Sequence, residues 1–366
     1  LDTTAKAIRH MYRTDLASFV RLAFKLVEPR ADFIPHWSID LVSDALMRCH
    51  RGETKRLIIN MPPRYLKSFC ASVAFPAWSL ALRPESKIMC ITGNRGLIED
   101  QHQMNLRLMS HPNYRAIFPH IKSLDDRGQT IRLPHGGTRS AHVLAPGSGI
   151  TGLGADTIII DDPLPAGYTD DEKRIEQVNR WYDQNVYQRL NDKANGVVIV
   201  VMQRLHVGDL TGHLLKQEGW QLLNLPAVAM QDEQYPQLFA DRIVRRWGDA
   251  LNPAIESVKE LKDAMWRMGA KTFMAQYQQK PYPPGEGKGL HGVHRWMTPV
   301  GPEMPGVGHM NVVFMKRSQE DIIEDELFHA PHCPPSNEPV LRQQTNEEWL
   351  TLARKIRRPL TSKSKF

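Results

Sequence analysis

Residues 56–69, RLIINMPPRYLKSF, constrain the fold more than any other stretch of this chain. The apolar run Leu57, Ile58, Ile59 predicts a short buried strand. A proline-stiffened turn follows, and Lys67-Ser68 opens an apolar segment that reads as a helix. That is the layout of a phosphate-binding loop. Backbone N–H groups and the helix N-terminus face an anion, a lysine reaches the β/γ-phosphates, and a hydroxyl holds Mg²⁺. The usual spacing has glycine where this chain carries Met61 and Leu66. The reading therefore rests on the strand–turn–Lys-Ser–helix context. Its competitor is a plain surface turn that happens to contain Lys-Ser.

The rest of the chain supplies a sheet for such a loop. Residues 5–50 read as helical, with Phe19, Leu22, Ala23 and Leu26 at helical spacing and a break at Pro35. Phe33 and Trp37 flank that break; packing is their default role, and a flat platform for an adenine ring is the functional one. After the loop helix, residues 87–92 (KIMCIT) read as a buried strand and 97–109 as a helix. Strand, helix, strand, helix with short turns implies a parallel sheet with right-handed crossovers. Residues 130–133 and 139–144 form a candidate hairpin. A glycine-rich stretch then precedes a strand over 157–160 that ends in Asp161-Asp162-Pro163. An amphipathic helix over 171–190, a fully apolar strand over 197–202 ending at Gln203-Arg204, and a strand over 220–225 follow.

Lys67-Ser68, Asp161-Asp162 and Gln203-Arg204 each fall at the C-terminal end of a predicted strand, where open parallel sheets bind their ligands. An Asp-Asp-Pro alone is commonly a cap or a turn. Behind an apolar strand, and paired with Lys67-Ser68, it reads as the second half of an ATP site. Asp161 would hold Mg²⁺ opposite Ser68, and Asp162 would polarise the attacking water.

Composition bounds the class. The chain has 366 residues, 41% of them hydrophobic, and a mean hydropathy of −0.42. That suits a globular protein of one large or two smaller domains, at roughly 100–200 residues each. No apolar run approaches the ~20 residues of a membrane span. The first residues lack a signal-peptide core, so export is not expected, and Leu1 in place of Met suggests a trimmed chain. Four scattered cysteines without a CxxC pair argue against a zinc knuckle or a disulfide framework and point to a reducing cytosol. A net charge of +7 and a pI near 9.2 favour a polyanionic partner.

Taken together in order, RLIINMPPRYLKS, SVAFPAW, TGLGADTIIIDDP, VVIVVMQRLHVGDLTGHLL and FMAQYQQKP resemble the large terminase subunit of tailed bacteriophages, over residues 20–284. The resemblance implies a P-loop (RecA/ASCE-like) α/β fold with a mainly parallel sheet flanked by helices. The N-terminal helical segment and an irregular C-terminal tail are read from the residues themselves, the tail having little periodicity. The resemblance implies ATP and Mg²⁺ as cofactors, with Lys67, Ser68, Pro63, Tyr65 and Leu66 at the phosphates and Ser68 and Asp161 at the metal. Asp162 falls where many relatives carry a glutamate, so Glu172 is a rival for activating water. Gln203 falls in the motif thought to sense the γ-phosphate, and Arg64 is the candidate arginine finger, with Arg204 its rival. The partners implied are double-stranded DNA, a portal protein, the small terminase subunit and further copies in a ring, in the host cytoplasm and without a membrane.

The chain is expected to divide into a helical lead-in over 1–50, an ATPase domain over 51–280, a Pro/Gly linker over 281–289 and a tail over 290–366. The family usually continues into a two-metal nuclease. The tail here offers no apolar strand ending in aspartate, and His291, His294, His329 and His332 form no convincing ligand set. The expectation is a motor without a working nuclease, with a frame-shifted or replaced tail whose basic end is a candidate DNA contact. Two alternatives stay open: a helicase-like ATPase, and a non-catalytic relic or docking module.

Overall fold

The computed structural model describes residues 3–144, 150, 152–169, 171–235, 238 and 242–282. Expectations for the linker beyond Tyr282, the tail and its histidines lie outside the described residues. Helices α1 (Thr3–Thr14), α2 (Leu16–Val27) and α3 (Trp37–Arg51) lead into β1 (Arg56–Asn60). A widened π-helical turn (Phe69–Ala74) continues into α4 (Phe75–Leu82), followed by β2 (Lys87–Thr92), α5 (Arg95–Ser110) and α6 (Pro112–Ile117). Then come β3 (Asp125–Arg127), β4 (Thr130–Arg132), β5 (Thr138–Val143), β6 (Thr157–Asp161), α7 (Glu172–Trp181), β7 (Val197–Met202), α8 (Leu210–Leu214) and β8 (Gln221–Asn224). The described chain closes with β9 (Glu233–Gln234), β10 (Ile243–Arg245), α9 (Val258–Met268) and α10 (Ala270–Gln276).

The fold is α/β, with an eight-stranded sheet in the order β3-β4-β5-β2-β6-β7-β1-β8. From β5 to β8 every pairing is parallel; β3 and β4 add an antiparallel edge. Burial on both faces explains why the central strands are continuous apolar runs. In β7, Val197, Ile199 and Val201 face one core with Leu57, Ile59, Cys90 and Ile159, under α2 to α5. Val198, Val200 and Met202 face the other, with Ile58, Ile158, Ile160 and the α7 residues Ile175 and Val178. Strand β7 lies between β1 and β6, as in a P-loop, RecA-like sheet.

A third cluster stands apart from the sheet. Val228, Leu261, Met265, Phe273 and Met274 form the core of a small helical cap built on α9 and α10. Gln278 stitches it internally: its amide accepts the Val228 N–H at 2.8 Å and donates to the Val228 carbonyl at 2.9 Å.

Local differences from expectation have local causes. The N-terminal segment is three helices, because Asp15 caps α2 with its side chain and ends α1. The predicted helix over 171–190 is α-helical only to Trp181, then passes through π and 3₁₀ turns. The hairpin gains β3 as a third strand, and β8 is an exposed edge. Residues 250–280 break at Gly269, whose φ of +81° suits glycine.

Candidate active site

The turn after β1 makes its own anion cradle. Arg64 and Leu66 have φ of +70° and +61°, left-handed values on either side of Tyr65. Alternating backbone handedness makes successive N–H groups converge, forming an anion-binding nest. Leu66 thus adopts the conformation for which the usual pattern supplies glycine, at a strain cost of roughly 1–2 kcal/mol. Pro63 half-buried and Tyr65 buried hold the turn against the core.

Lys67 and Ser68 then meet the two aspartates at the end of β6, Asp161 in the strand and Asp162 just beyond it. Lys67, 6% exposed, places Nζ 3.1 Å from Asp162 Oδ2. Ser68 Oγ donates to Asp161 Oδ1 at 2.9 Å. Asp161 is 1% exposed, and its other oxygen accepts Ser72 Oγ at 2.9 Å and Gln101 Nε2 at 2.7 Å. Asp161 faces this side because the pleat puts it in phase with Ile159, toward the loop helix and α5. The π-helical turn is held by Asn105, whose Nδ2 donates to the Ser72 carbonyl at 2.9 Å.

Asp162 leaves the strand with φ of +42°, which swings its carboxylate toward Lys67. Its Oδ1 also accepts the Gln203 N–H at 3.2 Å, so one carboxylate joins the ends of β6 and β7 to the loop lysine. Gln203 Oε1 is buried without a hydrogen-bond partner among the described residues. Burial, helped by the neighbouring Asp162 and opposed by Lys67 and the two serines, raises the Asp161 carboxyl to about 6. Two aspartates share one lysine, and that excess of buried negative charge suits a divalent cation. Among the described residues no three His, Cys, Asp or Glu groups cluster into a closed metal cage. Mg²⁺ held through one or two protein oxygens, water and phosphate needs no such cage.

The other sequence candidates divide. The Arg204 guanidinium is spent on structure: Nε lies 3.0 Å from both Asp209 carboxylate oxygens, and Nη2 donates to the His206 carbonyl at 3.2 Å. Arg64 is exposed beside the loop. Glu172 is exposed in the first turn of α7, lining a groove of about 790 Å³ with Tyr168, Asp171, Thr272 and Gln276. Phe33 packs at 5.4 Å on Phe24, which packs at 5.4 Å on Phe69 just after Ser68; Trp37 opens α3 and lies 5.2 Å from Tyr235. Sequence reasoning missed Ser72, Gln101 and Asn105. Ser72 was findable, since Ser68 and Ser72 share a helix face at i, i+4. Gln101 and Asn105 carry no local signal.

No helix among the described residues is long and apolar enough to cross a membrane. No protein-family model matches this chain, and no curated protein matches it. Nine chains of known structure do. Among them is the crystal structure of the HK97 bacteriophage large terminase, with 13% identity and a TM-score of 0.43 over 73% of this chain and 54% of that one. The chain thus spans about half the length of that protein, and the likeness is one of general outline.

Proposed function

We propose that this chain hydrolyses ATP at the C-terminal edge of its sheet, as the motor subunit of a phage large terminase that drives double-stranded DNA into a procapsid. The observation that carries the reading is the cross-linked set Lys67–Asp162 and Ser68–Asp161 beneath a loop with left-handed Arg64 and Leu66. The ordered motifs over residues 20–284 supply the terminase part.

In this reading the 63–66 backbone and the helix N-terminus bind phosphate, and Lys67 leaves Asp162 for the β/γ-phosphates. The freed Asp162 carboxylate then takes the proton-accepting position toward water. Ser68 and Asp161 would hold Mg²⁺, which would supply positive charge against the developing negative charge of the phosphates. Gln203 sits with its side-chain oxygen unused beside Asp162 and would report the γ-phosphate. Arg64 would stabilise transition-state charge, and Phe33 and Trp37 would border the adenine. Residues 51–280 are the ATPase domain behind the 1–50 lead-in. DNA, a portal protein, a small subunit and sister copies in a ring are the partners proposed, in the host cytoplasm.

The test is Mg²⁺-dependent ATP hydrolysis by the purified chain, with and without duplex DNA, beside Lys67→Ala. Turnover that rises with DNA and falls at least a hundredfold in the variant is expected. Strand displacement would instead select a helicase. Failure of the folded chain to bind or hydrolyse ATP would select the relic.

A further inference from the structure

We propose that Gln279 is a positioning residue for Gln203, clamping the helical cap to the loop that follows β7. The proposal rests on the ATP-hydrolysing reading above. It goes beyond it by naming the link between the site and the chain that continues past residue 280.

Two consecutive backbone N–H groups at the end of β7 are held from opposite sides. The Gln203 N–H donates to Asp162 Oδ1 at 3.2 Å, and the Arg204 N–H donates to Gln279 Oε1 at 2.9 Å. The first acceptor belongs to the carboxylate that pairs with Lys67. The second belongs to the last turn of the cap, 75 residues further along the chain. Two adjacent peptide units, meeting at the Gln203 Cα, therefore join the nucleotide-side acid to the cap.

Gln279 is built for this contact at the expense of its own backbone. It follows α10 with φ of +56°, where the Lys280 N–H closes the helix end on the Met274 carbonyl at 2.8 Å. Helices that end this way favour glycine at the left-handed position. A glutamine there is strained, so its side chain is what the position retains. The side chain is 5% exposed, and Nε2 donates to the Gln276 and Tyr277 carbonyls, which aims Oε1 at Arg204.

Beyond Arg204 the loop is tied together by one side chain. The Asp209 carboxylate takes the Arg204 guanidinium and the N–H groups of Leu205, His206 and Gly212. A displacement of the Arg204 amide is thus carried to Gln203 rather than absorbed. The cap also lies within electrostatic range of the phosphate loop, since the Arg64 charge bears on the Tyr277 phenol. When Lys67 exchanges Asp162 for phosphate, the grip on the Gln203 amide changes, and Gln279 passes that change to the residues after Lys280.

Gln279→Gly removes the clamp and suits the left-handed backbone, so the variant is expected to melt close to wild type. Gln279→Glu, held as the neutral acid by burial, keeps an oxygen for the Arg204 N–H and an O–H for the Gln276 or Tyr277 carbonyl. The measurement is steady-state ATP hydrolysis on the full chain, with hydrogen exchange of the 203–209 amides. In Gln279→Gly, kcat is expected to fall at least tenfold with KM within threefold, and the 203–209 amides to exchange faster. Gln279→Glu is expected to recover most of kcat. Gln279→Asn, also at ease left-handed but too short to reach, repeats the glycine arm if glycine loosens the helix end. Wild-type kcat and exchange in both short variants would overturn the proposal, as would equal losses in Gln279→Gly and Gln279→Glu. A wild-type chain that binds no nucleotide sinks the ATPase reading and this inference together. A turning-over wild type with an unaffected Gln279→Gly sinks this inference alone.

Discussion

Arg64 and Arg204 carry the same charge in the turns that follow two neighbouring strands, β1 and β7, and their surroundings give them opposite tasks. Arg204 is 13% exposed and pairs with Asp209, itself 1% exposed. Removing it leaves a buried carboxylate unpaired, so Arg204→Ala should cost about 3–5 kcal/mol in a urea titration. Arg64→Ala sits in solvent and should stay within about 0.5 kcal/mol of wild type. If Arg64 is the finger, its loss lowers kcat by about 10³-fold or more with the fold intact. A stable Arg204→Ala protein, or an Arg64→Ala protein with undiminished turnover, would reverse the assignment. Sequence alone made the two arginines rivals because charge is legible and its partner is not. Leu66 teaches the same lesson from the other direction: the glycine is missing from the pattern, yet the left-handed backbone is present.

At the scale of elements, the site depends on turns that touch. The turn after β2 crosses the turn after β6, where the Gly93 N–H donates to the Asp162 carbonyl at 3.2 Å. A Cβ on Gly93 would lie 2.4 Å from the Pro163 carbonyl oxygen, which is backbone and cannot rotate away. Gly93→Ala should therefore destabilise by about 1–3 kcal/mol, and shift Asp162 enough to lower ATP turnover. Gly52 is the control. It ends α3 with φ of +80° and nothing within 4 Å of its Cβ direction, so Gly52→Ala should cost about 1 kcal/mol through strain alone. Paired denaturation and ATPase assays check both: equal turnover in the two variants would remove the crossing of these turns from the mechanism. The π-helical turn belongs here too. Apolar spacing predicted a helix after Ser68, but not its widening, nor the bond that the Ser72 carbonyl in it accepts from Asn105 of α5.

For the whole molecule, burial sets the response to acid. His36 is lowered to about 3 and His50 and His142 to about 4, in each case mainly because burial penalises the charged ring. Unfolded histidines protonate near pH 6.5, with the unfolded chain binding more protons below that value. The stability these rings contribute is present above about 6.5 and lost as pH falls toward their folded values. Asp40 and Asp161 act with the opposite sign. Burial raises both to about 6, so the folded chain takes up protons between about 6 and 4 that the unfolded chain does not. The net expectation is a shallow loss of stability on acidification, with its onset above the window where the carboxyls respond. Urea midpoints across that range test it. His142→Leu should flatten the limb by up to about 1.4 kcal/mol per pH unit, one proton's share. An unchanged slope would mean the folded ring already titrates.

Periodicity and punctuation along the chain were enough for the strands β1, β2, β6 and β7, for the helix behind Lys67-Ser68, and for polar groups waiting at three strand ends. Burial on both faces leaves a one-dimensional trace, an unbroken apolar run closed by a charged or polar residue, and that trace needs no knowledge of neighbours. Only the tertiary structure decided the sheet order, with β7 between β1 and β6. It also decided that Asp161 would be held by Gln101 from 60 residues away, that Arg204 would be consumed by Asp209, and that Gln279 would reach the Arg204 amide. Those outcomes are hydrogen bonds of buried groups, whose partners are set by whichever elements packing brings within 3 Å or so, and local sequence holds no record of that choice.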